Sequence, residues 1–326
     1  HERLVGSEMC IRDRYICICD YFLTFLWYNT INKNGKSNHM NKEEIKQILL
    51  QNNLIVKKKY GQNFLLDEVV LNNIILKAGI KADSCVVEIG PGLGFLTKKL
   101  SQFAGKVLCY EIDEQMVRFL KKENYNNVEI IQDDFLNRNL DEDFLKFTKG
   151  KKLMVVANLP YYITTAILLK ILEETHTVDK MIVMMQKEVA QRICGKPSTK
   201  DYNALSVLLQ YFTNPKIVLD VKPSSFYPQP TVDSSVVEIK YKTEMDNTAL
   251  NLNYFLKFNR NIFSQRRKTL INNLQKTYHY TKSEIEEILY HFHISVSIRA
   301  EELSVNQIID LANAFYKHFE QNKRTN

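Results

Sequence analysis

Four consecutive residues, Asn158-Leu159-Pro160-Tyr161, set a side-chain amide, a backbone carbonyl and an aromatic ring in a row. The exocyclic amine of adenine is a poor nucleophile because its lone pair is delocalised into the ring. An amide oxygen and a carbonyl that accept its N–H bonds favour a pyramidal nitrogen, with the lone pair free to point at a methyl group. Asn158 and the Leu159 carbonyl suit that task. Pro160 has a fixed φ and biases Leu159 away from helix, which holds the carbonyl in one direction. Tyr161 offers a face to an extruded base, a contact worth roughly 1–3 kcal/mol. A turn after a buried strand would also use Asn and Pro, but it has no need of Tyr161-Tyr162.

A second group of residues could hold a nucleoside. The run Gly90-Pro91-Gly92-Leu93-Gly94 follows an apolar stretch and precedes a helical one, where a backbone must turn tightly and approach a ligand. Such a loop serves a dinucleotide, a nucleoside or merely a tight turn. Glu111 lies about 20 residues on at the end of the next strand, where its carboxylate can accept both ribose hydroxyls. Asp113 reads as a helix cap. Asp134 is an acceptor for an adenine amino group or a loop cap, and Asp133 competes with it.

These residues need a frame that brings strand ends together. Runs at Cys85–Ile89, Lys106–Glu111, Val128–Gln132, Leu153–Ala157, Met181–Gln186, Ile217–Val221 and Val236–Tyr241 read as strands. Apolar spacings of three and four residues mark helices at Glu68–Ala78, Leu93–Gln102, Glu114–Lys122, Thr164–Glu174 and Ala204–Phe212. The alternation predicts an α/β fold with a doubly wound, seven-stranded sheet. After Tyr241 the segments Leu252–Phe263, Arg267–Gln275, Ser283–His291 and Val305–Phe319 read as helices. Residues 40–242 are thus expected to form the ligand-binding domain and 243–326 a small helical domain, with the boundary in the polar stretch Lys242–Thr248.

Composition sets outer limits. The 326 residues are 45% hydrophobic, ample for a core, and 44 basic against 37 acidic residues give +7, too mild an excess to identify a nucleic-acid binder. The six cysteines, Cys10, Cys17, Cys19, Cys85, Cys109 and Cys194, lack paired zinc spacing and read as free thiols; no metal is expected. The apolar run from Tyr15 to Tyr28 is broken by Asp20 and is too short to span a bilayer. Residues 1–39 look extraneous, with Met40 the expected start.

The motifs together carry a family resemblance. Gly61-Gln62-Asn63-Phe64-Leu65, Glu88-Ile89-Gly90-Pro91-Gly92-Leu93-Gly94, Asn158-Leu159-Pro160-Tyr161, Gln186-Lys187-Glu188-Val189-Ala190 and Phe226-Tyr227-Pro228-Gln229-Pro230-Thr231-Val232-Asp233-Ser234 resemble the successive signatures of KsgA-type rRNA adenine dimethyltransferases. The similarity spans about residues 57–310. It implies a class I methyltransferase, Rossmann-like fold and S-adenosylmethionine as methyl donor. It further implies dimethylation of two adjacent adenosines near the 3′ end of small-subunit ribosomal RNA, within a pre-ribosomal particle. On this resemblance Asn63, Leu65, Gly90, Glu111, Asp134 and Asn158 contact the cofactor. Asn158, Leu159, Pro160 and Tyr161 act at the target amine, and Phe226 sandwiches the flipped adenine opposite Tyr161. Thr164 departs from the more usual serine but keeps a hydroxyl cap. A cytoplasmic monomer is expected.

Basic runs occur at Lys57-Lys58-Lys59, Lys149 to Lys152 and Arg266-Arg267-Lys268. Each is a solvated face by default; Arg266, Arg267 and Lys268, expected to begin a helix, are the stronger candidates for RNA phosphate contacts. Competing readings are a macrolide-resistance methyltransferase acting on large-subunit rRNA, a non-catalytic ribosome-assembly or transcription factor, and a nicotinamide dehydrogenase. The second position of Asn158-Leu159-Pro160-Tyr161 disfavours the first, intact Glu111, Asn158 and Tyr161 the second, and the purpose of that tetrapeptide the third.

Overall fold

The computed structural model describes residues 42–321 except 245, 246 and 279. The expected extraneous leader and Cys10, Cys17 and Cys19 lie outside the described residues. A seven-stranded sheet runs in the order β4-β3-β2-β5-β6-β9-β7. Its strands are β2 (Cys85–Ile89), β3 (Lys106–Glu111), β4 (Val128–Gln132), β5 (Leu153–Asn158), β6 (Val178–Gln186), β7 (Thr213–Val221) and β9 (Ser234–Tyr241). The first five are parallel, as in Val87 beside Leu108 and Val87 beside Val155. Strand β9 is antiparallel to both neighbours, with Val237 facing Val183 on one side and Ile217 on the other.

The central strands read as continuous apolar runs because both of their faces are covered. Val87, Ile89, Leu108, Tyr110, Val155 and Ala157 pack on one face with Phe144, Ile167 and Ile171, which belong to helices Leu140–Thr148 and Thr164–Glu174. Val86, Val107, Cys109 and Val156 pack on the other with Leu71, Ile74 and Leu100 from helices Glu68–Ala78 and Phe95–Phe103. Each fully buried aliphatic side chain stabilises the fold by roughly 1.5–3 kcal/mol. Pro215 is tolerated in β7 because that strand lies at the sheet edge.

All seven expected strands are present, and four of them extend further: β5 through Asn158, and β6, β7 and β9 toward their starts. The helix expected from Leu93 starts at Phe95, because Gly94 at φ +81° turns the chain immediately before it. The sequence missed helices Lys42–Gln51, Leu140–Thr148 and Lys187–Ile193. It also missed a two-stranded sheet in which β1 (Phe64–Leu65) pairs antiparallel with β8 (Phe226–Tyr227).

Beyond β9, helices Leu252–Ile262, Leu270–Thr277, Lys282–His291 and Val305–Phe315 bury Phe255, Phe258, Leu274, Leu289, Leu311 and Phe315 in a second core. Side chains at helix starts satisfy backbone N–H groups that have no partner within the helix: Thr269 caps with its hydroxyl, and Thr281 with Glu284 and Ser304 with Gln307 form capping boxes. The expected helix Arg267–Gln275 therefore begins at Leu270, which leaves Gln265–Lys268 in the turn before it. The last helix ends at Phe315 and continues as a π turn over Tyr316–Gln321.

Candidate active site

Because β2 to β5 are parallel, the residues that follow their carboxyl ends gather on one edge of the sheet. Ligands of open α/β sheets bind along this edge. All six residues expected at the cofactor, Asn63, Leu65, Gly90, Glu111, Asp134 and Asn158, line a single cleft there, together with Leu159, Pro160 and Tyr161.

The glycine loop is built for close approach. Gly92 holds φ +58°, and a Cβ there would stand 2.8 Å from Phe64 Cε1; one on Gly90, at φ +71°, would touch Pro160 at 3.4 Å. Glu111, 5% exposed, accepts hydrogen bonds from Gly92 N at 3.0 Å and Asp113 N at 2.8 Å. Burial holds its carboxyl above the usual value, an effect those two N–H groups offset only in part. Asp133 and Asp134 divide their tasks. Asp133 accepts from Asp134 N at 2.8 Å and pairs with Arg138 at 3.2 Å. Asp134 caps the turn through Leu136 N at 2.9 Å, as the structural reading had it, and still faces the cleft. Asp113 does cap the next helix, through Gln115 N.

Asn158 Nδ2 donates to the Asn63 carbonyl at 3.0 Å, while Asn158 Oδ1 is buried and has no hydrogen-bond partner. An unpaired acceptor in a buried position costs about 1–3 kcal/mol, so its presence on a ligand-sized cleft marks a place for a donor. The Tyr161 hydroxyl bonds Ser234 Oγ at 2.6 Å, and burial pushes the phenol up. Thr164 Oγ1 donates to the Pro160 carbonyl at 3.0 Å, which fixes the turn that carries Tyr161 instead of capping a backbone N–H. The glycine cradle, the paired acceptors at Glu111 and Asp134, and the open Asn158 oxygen fit an adenosine-containing methyl donor.

Three residues that line the cleft were given no site role from the sequence: Glu88, Tyr60 and Tyr162. Glu88, 2% exposed, lines the cleft and accepts from Thr97 Oγ1 at 2.6 Å and weakly from Cys109 Sγ at 3.6 Å. Burial pushes its carboxyl up to about 8. Tyr60 and Tyr162 also line the cleft, the latter more than half exposed.

One expectation requires correction. Phe226 has no exposed surface, packs in the core with Leu65, Val70 and Leu71, and does not line the cleft. Its pairing with Leu65 across β1 and β8 turns the ring inward, so it supports the cleft wall from behind and offers no face opposite Tyr161.

The sequence and the fold find counterparts among known proteins. The family profile of ribosomal RNA adenine dimethylase matches residues 53–317. The chain belongs to this family. It is 43% identical over 268 residues to ribosomal RNA small subunit methyltransferase A of Bacillus cytotoxicus, a match that covers 80% of this chain and 92% of that protein. The protein of the same name from Aster yellows witches'-broom phytoplasma is 45% identical over 250 residues, 76% of this chain and 92% of its own. Among solved structures, a dimethyladenosine transferase from Plasmodium falciparum superposes with a TM-score of 0.66 at 28% identity over 77% of this chain and 96% of that one. The 23S rRNA methyltransferase ErmE gives 0.60 at 25% over 76% and 98%. This chain is therefore a methyltransferase of rRNA adenine with the class I α/β fold, and the dehydrogenase reading falls away.

The basic residues expected at the RNA differ in their surroundings. Arg266 is held by the protein: its guanidinium donates to Glu301 Oε2 at 2.5 Å, to the Lys200 carbonyl, and to the Thr199 carbonyl at 3.2 Å. Arg267 and Lys268 are exposed on the turn and make no ion pair among the described residues. Lys57 is also engaged, pairing with Asp113 at 2.6 Å, and Lys152 donates to the His176 carbonyl at 2.6 Å. No helix of the described residues is long and apolar enough to cross a membrane, and among them no cluster of His, Cys, Asp and Glu could hold a metal.

Proposed function

We propose that the protein transfers methyl groups from S-adenosylmethionine to the N6 amines of two adjacent adenosines in small-subunit rRNA, within a pre-ribosomal particle in the cytoplasm, and acts as a monomer. The observation that carries this reading is the buried, unpartnered Oδ1 of Asn158, a residue that lines the same cleft as the Glu111 and Asp134 carboxylates. Kinship with small subunit methyltransferases at 43% and 45% identity supports the choice of RNA.

S-adenosylmethionine supplies an electrophilic methyl group. Glu111 accepts from the ribose hydroxyls and Asp134 from the adenine amino group, while Gly90 lets the backbone approach and Asn63 and Leu65 close the amino-terminal side. Asn158 Oδ1 and the Leu159 carbonyl accept from the target amine, an interaction that strengthens as its nitrogen becomes pyramidal and so lowers the barrier selectively. Pro160 holds that carbonyl, and Tyr161, anchored by Ser234, stacks the extruded base. The amine loses its proton after the methyl has transferred, so no side chain need act as a base. Arg267 and Lys268 contact RNA phosphates, and residues 243–326 form the module that presents them.

Mass spectrometry of rRNA from a deletion strain tests the assignment. Dimethyladenosine should vanish from small-subunit rRNA and return when the gene is restored; a mark that returns on large-subunit rRNA instead would refute it.

A further inference from the structure

Residues 57–63 form a strap along the cleft, to which Tyr60, Gly61, Gln62 and Asn63 all contribute. One carboxylate ties the strap down. Asp113, with no exposed side-chain surface, accepts from Lys57 Nζ at 2.6 Å, Gln62 Nε2 at 3.0 Å and its own helix through Gln115 N at 3.0 Å. Gln62 stitches the strap to itself as well, because its Oε1 accepts from Lys57 N at 2.7 Å. Gly61, at φ +59°, lies so close to the Tyr162 ring that a Cβ there would stand 3.2 Å from it. The residue after Gln62 is Asn63, whose carbonyl takes the Asn158 amide N–H.

This arrangement bears on the chemistry because an asparagine amide has two unlike ends. Rotated by half a turn, Asn158 would present N–H donors to an amine that needs acceptors, and it would repel the group it must polarise. The bond to the Asn63 carbonyl uses the donor end and leaves Oδ1 free. What fixes the Asn63 carbonyl therefore fixes which end of Asn158 the substrate meets. The tie continues toward the cofactor end, because Asp113 N donates to Glu111 Oε1 at 2.8 Å.

We propose that Gln62 and Asp113 are positioning residues for methyl transfer, which pin the strap so that the Asn63 carbonyl holds Asn158 with its oxygen toward the target amine. The proposal rests on the reading that Asn158 accepts from that amine. A small misplacement of a catalytic group has large effects on rate, so a residue can govern turnover by placing another.

The test is single-turnover methylation of small-subunit rRNA particles at saturating S-adenosylmethionine, in wild type, Gln62→Ala, Asn158→Ala and the double variant. Gln62→Ala should slow transfer by roughly tenfold, the size of one transition-state hydrogen bond. In the Asn158→Ala background the same change should slow it less than about twofold, since residues that act through one another are not additive. Gln62→Glu sets a second carboxylate against Asp113 with little change of volume and should reproduce the Gln62→Ala loss, which separates the effect from a packing defect. An equal loss in both backgrounds, or a wild-type rate in Gln62→Ala, overturns the positioning role while leaving Asn158 in place. A wild-type rate in Asn158→Ala overturns both.

Discussion

Replacing Glu111 by alanine should do two separable things. The carboxylate is the expected acceptor for both ribose hydroxyls, and a hydrogen bond to a charged group is worth about 1.5–3 kcal/mol, so the cofactor should bind roughly 100-fold more weakly. The same side chain already satisfies Gly92 N and Asp113 N from a position 5% exposed. Stranding those donors costs about 1–3 kcal/mol each, so the free protein should also melt several degrees lower. Glu111→Gln gives part of each loss. Gly92 N bonds Oε2 and Asp113 N bonds Oε1, so the amide keeps an acceptor for only one of them and sets its NH2 against the other; Tm and affinity should both fall by less than in Glu111→Ala. Titration calorimetry with S-adenosylhomocysteine and scanning calorimetry read the two quantities. Unchanged affinity in Glu111→Ala would remove the residue from the ribose site and refute the reasoning.

Two further outcomes are expected. The Glu88 carboxyl is raised from 4.5 to about 8 in the folded state, chiefly by burial, so the stability tied to its protonated form is fully present below pH 4.5 and lost as pH rises through 8. Glu88→Gln keeps an acceptor for Thr97 and should overtake wild type in Tm above pH 8, by an amount approaching roughly 5 kcal/mol of that linkage; parallel Tm profiles from pH 5 to 9 would show that Glu88 does not titrate this way. At the RNA surface, Arg267→Ala with Lys268→Ala should flatten the dependence of log K on log salt by about 1–2, whereas Arg266→Ala should lower Tm and leave the slope unchanged. Salt titrations of particle binding in which Arg266→Ala alone flattens the slope would return that residue to the RNA.

The sheet was legible because β2, β3 and β5 are buried on both faces, which writes each of them as a mostly apolar run, broken in β2 only by Glu88. Strands β1 and β8 are two residues each, too short for any periodicity to register. Helix Leu140–Thr148 did carry signals, with Asn139 as its cap and Leu140, Phe144 and Phe147 on one face, and these were overlooked. At the site, residue types at strand ends pointed to Glu111, Asp134 and Asn158, since parallel topology by itself converts strand ends into neighbours. Burial and pairing were not legible. A phenylalanine in a proline-rich loop looks available for stacking until β1 is found beside it, and three basic residues in a row look alike until Glu301 and two carbonyls are found occupying Arg266. Glu88 passed as part of a glycine motif because nothing in its neighbours' identities announces a carboxyl buried against Thr97.

Helix Ala204–Phe212 has a consequence for how this protein can be divided. Leu209 belongs to the core beneath the sheet, whereas Val207 and Tyr211 belong to the helical core, and Tyr202 just before the helix joins them. Tyr211 Oη also accepts from Ala249 N at 3.2 Å. The chain crosses from sheet to helices after Tyr241, but the apolar seam between them runs some thirty residues earlier, inside an element that precedes the last two long strands. A graft that exchanged everything after residue 242 for the module of a relative would leave Val207 and Tyr211 facing side chains they were not matched to. Recombination that preserves the fold has to carry this helix along with the module it serves, or keep the residues that meet it.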